Sequence, residues 1–215
     1  MSKRYSKAWI PLESDPGIFT ELMHNLGADD DLTFMDVFSL DSRPWIPVRA
    51  LILIFPSCDA YKRDTETQTT SHDDKELVWV NQTIDNACGL YAILHCVCNI
   101  PDAIKPGSVL SGFMEASNRA AFLESSQEVE EFYDRAAQDG SPALPAEAVD
   151  HHYICLVKHK RSNQLYLLDG EMGGPIEKGK LEDEEDVWDG RHIIRTYIDS
   201  RKEGTFSLLA LVNSG

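Results

Sequence analysis

Cys88 closes the run Gln82-Thr83-Ile84-Asp85-Asn86-Ala87-Cys88 and opens an apolar segment that continues to Ile100. A cysteine after a polar, Asn-containing turn, at the start of a helix, is a thiol placed where it can ionise. The first N–H groups of a helix lack partners within it and carry the positive end of its dipole, and both favour thiolate over thiol. Such a sulfur attacks acyl carbons when a base stands beside it. Gln82, six residues earlier, is near enough in a loop to supply a second donor to an oxyanion. Together these residues form a cysteine-protease signature.

The base has to come from elsewhere in the chain. His95 lies seven residues along the same helix, about 10 Å away along its axis, so it points to another level. His24, His72 and His192 have no local context that points at a site. The remaining candidates lie at 151–159, on a strand His152–Val157 joined by a polar turn to a second strand Gln164–Leu168. A turn centred between Lys160 and Arg161 sets His152 directly opposite Asp169, with Cα atoms about 4.5–5.5 Å apart on one face. The aspartate could then hold the imidazole in its working tautomer. His151 faces the other way, and His159 sits near the hairpin tip. Each residue alone has a plainer reading: a cysteine that opens a helix is commonly a small buried hydrophobe, and Asp-Gly a turn. Their coincidence favours catalysis. Cys96, Cys98 and Cys155, set among Val, Leu and Ile, read as core thiols.

The elements that must position these groups follow from pattern. Asp15-Pro16 and Gly27 bracket a helix with Ile18, Phe19, Leu22 and Leu26 on one face. Val48–Phe55 is a buried strand, ended by Pro56. The polar stretch Asp59–Glu76 reads as a mobile surface loop, and Leu77–Val80 as a short strand leading to Gln82. Cys88–Ile100 is a helix apolar nearly all round and therefore central. Helical stretches follow at Val109–Glu115 and Gln127–Gln138, then an irregular segment Asp139–Asp150. An acidic helical piece is expected at Lys180–Asp189 and a last strand at Phe206–Val212.

Composition sets the outer bounds. At 215 residues the chain suits one sizeable core, so a single domain over 1–215 is expected. The basic N-terminus has no apolar region of the signal-peptide kind, and the longest apolar run, Ala50–Phe55, is too short to span a bilayer. Five cysteines without CxxC spacing argue against a disulfide framework and a zinc knuckle, and imply a reducing, cytoplasmic or nucleocytoplasmic setting. No metal or cofactor is expected. A formal net charge of −16 disfavours nucleic acid and anionic membranes and suits a basic partner, or simply confers solubility.

Gln82–Gly89 resembles the active-site signature of the ubiquitin carboxyl-terminal hydrolase family of cysteine deubiquitinases. His152-Tyr153-Ile154-Cys155-Leu156-Val157 is similar to its histidine strand, and Leu165–Gly170 to its aspartate strand. Trp9–Pro16, Asp36–Asp41 and Leu51–Pro56 are similar as well, so the resemblance runs from Trp9 to about Val212. It implies an α+β, papain-like fold: a six-stranded antiparallel sheet flanked by helices, with a knotted backbone. It implies Cys88 as nucleophile, His152 as general base and acid, Asp169 as orienting carboxylate and Gln82 as oxyanion donor. A crossover loop at about 128–150 would span the site and admit only small or unfolded leaving groups. The partner implied is the C-terminal tail of ubiquitin, or of a ubiquitin-like modifier, engaged by a monomer. Pro11, Leu12 and Glu13 would contact it and Asp36 would pair with an arginine of the tail. Glu171 stands where many relatives carry Arg, Gly17 where an acidic residue is common, and Leu90 and Tyr91 where smaller residues are. Two other readings exist: a catalytically idle ubiquitin-binding module, and a different Cys-His-Asp enzyme such as an acyltransferase, which would need a deep apolar pocket.

Overall fold

The computed structural model describes residues 5–56, 58–67, 76–140, 151–182, 186–200 and 205–214. In chain order these form β1 (Lys7–Ala8), α1 (Pro16–Leu26), β2 (Leu32–Asp36), β3 (Val48–Pro56), α2 (Asp59–Thr67), β4 (Ile84–Asp85) and α3 (Cys88–Val97). There follow α4 (Val109–Glu115), α5 (Arg119–Ser125), α6 (Gln127–Asp139), β5 (His151–Lys158), β6 (Gln164–Leu168) and β7 (Ile176–Lys180). A 3₁₀ turn at Val187–Gly190, α7 (Arg191–Ser200) and β8 (Ser207–Asn213) complete the fold. Six strands make one antiparallel sheet in the order β2-β8-β3-β5-β6-β7. β1 and β4 pair in parallel as a separate two-stranded ribbon. This is the α+β arrangement expected.

β3 is apolar along nearly its whole length because both of its faces are covered. Ala50, Ile52 and Ile54 enter a core shared with α1, α3 and α6, whereas Leu51, Leu53 and Phe55 enter a second core with α2 and α7. The same alternation on β5 sends Tyr153, Cys155 and Val157 to the α3 side, and Ile154 and Leu156 to the α7 side. Cys96 of α3 meets Cys155 of β5 with sulfurs 3.0 Å apart, and all five cysteines are free thiols. α1 starts and stops as its sequence predicts. Asp15 accepts from the Ile18 N–H at 3.0 Å, and Gly27 takes a left-handed φ of 103° and donates to the His24 carbonyl.

Three expectations need correction. The expected mobile loop at 59–76 is helical over Asp59–Thr67, and its residues 68–75 lie outside the described ones. Few apolar residues mark α2, because it is anchored mainly by polar contacts: Asp64 takes Lys178 Nζ at 2.7 Å and the Tyr197 hydroxyl. The acidic helix expected at 180–189 is displaced: β7 runs to Lys180, and the helix is the amphipathic α7 further on. Residues 183–185 lie outside the described ones.

The third correction bears on the site. Leu77–Val80 is not a strand of either sheet. Side chains of α3 and of the turn that follows it stand in for a neighbouring strand. Asn99 accepts from the Val78 N–H and donates to the Val78 carbonyl, both at 2.8 Å, and His95 Nε2 accepts from the Val80 N–H at 3.1 Å. These buried bonds fasten the segment that carries Gln82 to the helix that carries Cys88. Burial pushes His95 down to about 4 from 6.5. The unfolded chain therefore gains that proton first as pH falls. The resulting loss of stability is absent above pH 6.5, grows down to 4, and amounts to about 2 kcal/mol at pH 5. Urea unfolding at pH 7 and pH 5 should show this acid loss in the parent and not in His95→Gln.

Candidate active site

Cys88 is the first residue of α3, behind Asn86, whose left-handed φ of 61° turns the chain into the helix. Tyr133 of α6 fixes this turn: its hydroxyl faces the carbonyls of Ile10 and Asn86 at 2.8 and 3.0 Å. No side chain caps α3, so its leading N–H groups are left to the sulfur, and those of Gly89 and of Cys88 itself favour the thiolate. Burial outweighs them. Together with the nearby Glu171 and Asp169 charges it pushes the thiol up to about 12. The start of α3 thus favours the thiolate while burial opposes it.

His152 lies near the start of β5 and is 8% exposed. The hairpin forms, but in another register. β5 and β6 pair Cys155 with Leu168 and Lys158 with Leu165. This is two residues off the register that would set His152 against Asp169, and β6 ends at Leu168, before that position. The turn is longer than assumed because His159 and Gln164 still pair at 2.8 Å, leaving Lys160–Asn163 to turn. The His159 ring accepts from the N–H groups of Arg161 and Ser162, and Asn163 supplies the left-handed residue with φ 56°.

Asp169 lies near the imidazole, without a hydrogen bond to it among the described contacts. It is 3% exposed, and its charge is close enough to interact with that of His152. Its Oδ1 accepts from the Glu171 N–H at 2.7 Å and its Oδ2 from the Tyr61 hydroxyl at 2.8 Å. Tyr61 is the residue that sequence reasoning missed. Its ring stacks on His152 with centroids 4.1 Å apart and planes at 24°, and Phe55 stands edge-on to it at 5.7 Å. One side chain from α2 thus touches the imidazole with its face and the carboxylate with its hydroxyl. An aromatic residue inside a polar run was the only available signal. Burial pushes Asp169 up to about 6, against the opposing bonds from Glu171 and Tyr61.

Gln82 is 5% exposed and sits against the Asp169-Gly170 turn. Its N–H donates to the Gly170 carbonyl at 2.7 Å, and its side-chain amide donates to the Ile84 carbonyl at 3.1 Å. The amide carries two hydrogens, so a second donor stays with the group. A Cβ on Gly170 would lie 3.0 Å from Gln82 Cβ and 3.3 Å from the Val80 carbonyl oxygen, so this contact needs glycine. Trp79 Nε1 donates to the Asp169 carbonyl at 2.8 Å, which locks the same turn from the other side. The loop of the oxyanion candidate and the loop of the acid are therefore one packed unit.

The residues expected to bind a partner lie on two elements. Pro11 and Glu13 are exposed, whereas Leu12 is buried and packs on the first turn of α3, close to Gly89. Asp36 is exposed at the end of β2. Of the expected crossover loop at 128–150, the first part is α6, and 141–150 lie outside the described residues. Among the described residues no cluster of three or more His, Cys, Asp or Glu side chains is arranged for a metal, and no helix is long and apolar enough to cross a membrane.

The order of these groups along the chain can be compared with known proteins. Residues 9–199 match the family model described as ubiquitin carboxyl-terminal hydrolase, family 1. The chain belongs to that family. It is 31% identical over 221 aligned residues to a ubiquitin carboxyl-terminal hydrolase of Drosophila melanogaster, covering 94% of this chain and 96% of the relative. It is 32% identical to ubiquitin carboxyl-terminal hydrolase 3 of Arabidopsis thaliana, covering 96% and 94%. Among solved structures, the Trichinella spiralis UCH37 catalytic domain bound to ubiquitin vinyl methyl ester superposes with a TM-score of 0.75 at 21% identity, covering 97% of each chain. That likeness establishes the papain-like fold of the family.

Proposed function

We propose that this chain is a cysteine-type hydrolase acting on the C-terminal glycine of ubiquitin, through Cys88, His152, Asp169 and Gln82. The observation that carries the reading is the setting of Cys88: its sulfur receives two backbone N–H groups at the start of α3, within electrostatic reach of Asp169 and Glu171. Family membership supplies the substrate class.

His152 takes the proton of the Cys88 thiol, and the thiolate attacks the carbonyl carbon of the terminal glycine. The tetrahedral oxyanion forms against the Cys88 N–H and the Gln82 amide. As the adduct leaves, His152 returns the proton to its amine, which leaves a thioester on Cys88. Water, deprotonated by His152, attacks the thioester; the C–S bond breaks, the Cys88 sulfur regains the proton from His152, and the ubiquitin carboxylate is released. Asp169 stabilises the imidazolium formed twice in this cycle. The net charge of −16 suits the basic tail of ubiquitin, with Pro11, Glu13 and Asp36 as its exposed contacts and Leu12 as their buried anchor. The chain would act as a monomeric single domain over 1–215 in a reducing cytoplasmic or nuclear compartment.

Hydrolysis of a fluorogenic ubiquitin C-terminal amide, with ubiquitin-like modifiers in parallel, tests the reading. Turnover, with ubiquitin preferred, is expected. Gln82→Ala should lower kcat by about 10²–10³ with little change in KM, because its donor acts on the oxyanion alone. Tight ubiquitin binding without turnover would instead identify an idle binding module.

A further inference from the structure

We propose that Glu171 is a positioning residue for this reaction, a second carboxylate that holds His152 alongside Asp169 and is itself held by Tyr5. The proposal rests on the reading of Cys88 and His152 as nucleophile and base.

Two observations support it. Glu171 Oε2 lies 3.6 Å from His152 Nδ1. The Tyr5 hydroxyl donates to Glu171 Oε1 at 2.7 Å, which leaves the other oxygen toward the histidine. Tyr5 is brought there by the ribbon: the Ser6 N–H bonds to the Thr83 carbonyl at 2.8 Å, and β1 runs beside β4 just before Cys88. Its phenol is raised by burial and by Glu171, so it stays a donor.

An exposed ion pair would contribute little. This one is not fully exposed: His152 is 8% and Glu171 31% accessible in their side chains. The imidazolium formed during catalysis is therefore stabilised by a carboxylate across a partly desolvated gap. Among the groups facing His152 are Glu171 and Asp169 from the turn after β6, Tyr61 from α2 and Phe55 from β3. Asp169 accepts from the Tyr61 hydroxyl and the Glu171 N–H, and Glu171, at 3.6 Å from the ring, would share the orienting work that one acid does in a simple triad.

Glu171→Gln keeps the shape and the Tyr5 acceptor but removes the charge, and Tyr5→Phe removes the anchor. On the ubiquitin amide, Glu171→Gln should lower kcat about 5- to 20-fold with KM within about twofold, and move the acid limb of kcat/KM to lower pH. Tyr5→Phe should move both in the same direction by less. In the free protein the His152 ring resonances should titrate at lower pH in Glu171→Gln than in the parent. An unmoved limb and unmoved resonances would overturn the proposal. So would a raised KM with kcat and limb unchanged, which would make Glu171 a substrate contact. A parent without turnover would sink the hydrolase reading, while the resonances would still decide the Glu171–His152 pair.

Discussion

Cys88→Ala should reduce release from a fluorogenic ubiquitin amide to background while leaving ubiquitin binding intact, and His152→Ala should do the same. Residues that act as one unit lose nearly everything when any one is removed, so each substitution should cost at least about 10⁴ in kcat, and the double variant little more. Burial opposes ionisation of the Cys88 thiol, so removal of a base should cost as much as removal of the sulfur. Titration calorimetry with intact ubiquitin separates the loss of chemistry from the loss of the surface. Residual turnover in His152→Ala within about tenfold of the parent would place the base elsewhere.

Asp169→Asn should abolish most activity and yet stabilise the fold. Asp169 titrates near 6 in the folded state against about 4 in the unfolded chain. Its raised value means that the folded state resists ionising it. The cost is absent below pH 4, grows as pH rises through 6, and reaches about 2–3 kcal/mol at pH 7. An asparagine keeps an acceptor for the Glu171 N–H and can donate to the Tyr61 oxygen, so it lifts that cost without emptying the site. The imidazolium loses its buried counter-charge, and kcat should fall by about 10³–10⁴. Urea unfolding at pH 7 should show the gain, and the gain should vanish at pH 4. Tyr61→Phe, which keeps the stacking on His152 and loses only the bond to Asp169, should fall between parent and Asp169→Asn in kcat.

Several parts of this site were legible because they are local. Asn86-Ala87-Cys88 marks a turn into a helix by residue type alone, and α3 begins there. The two strands carrying His152 and leading to Asp169 were marked by their apolar runs. What could not be read was the register between them. It depends on whether a His159 ring and a left-handed Asn163 lengthen a turn, and the resulting shift of two residues takes Asp169 out of the place opposite His152. α2 was missed because it is held by Asp64, Lys178 and Tyr61 rather than by an apolar stripe. The segment before Gln82 read as a strand because Val78 and Val80 are buried, yet its partners are the side chains of His95 and Asn99. Contacts between distant side chains leave no period in the sequence.

The central claim is that the Cys88 sulfur attacks the C-terminal carbonyl of ubiquitin. Its most direct test is incubation with ubiquitin vinyl methyl ester, followed by peptide mass spectrometry to locate the bond. The predicted result is a one-to-one adduct on Cys88, absent in Cys88→Ala and slowed in His152→Ala. No adduct, or one on Cys58, Cys96, Cys98 or Cys155, would contradict the account.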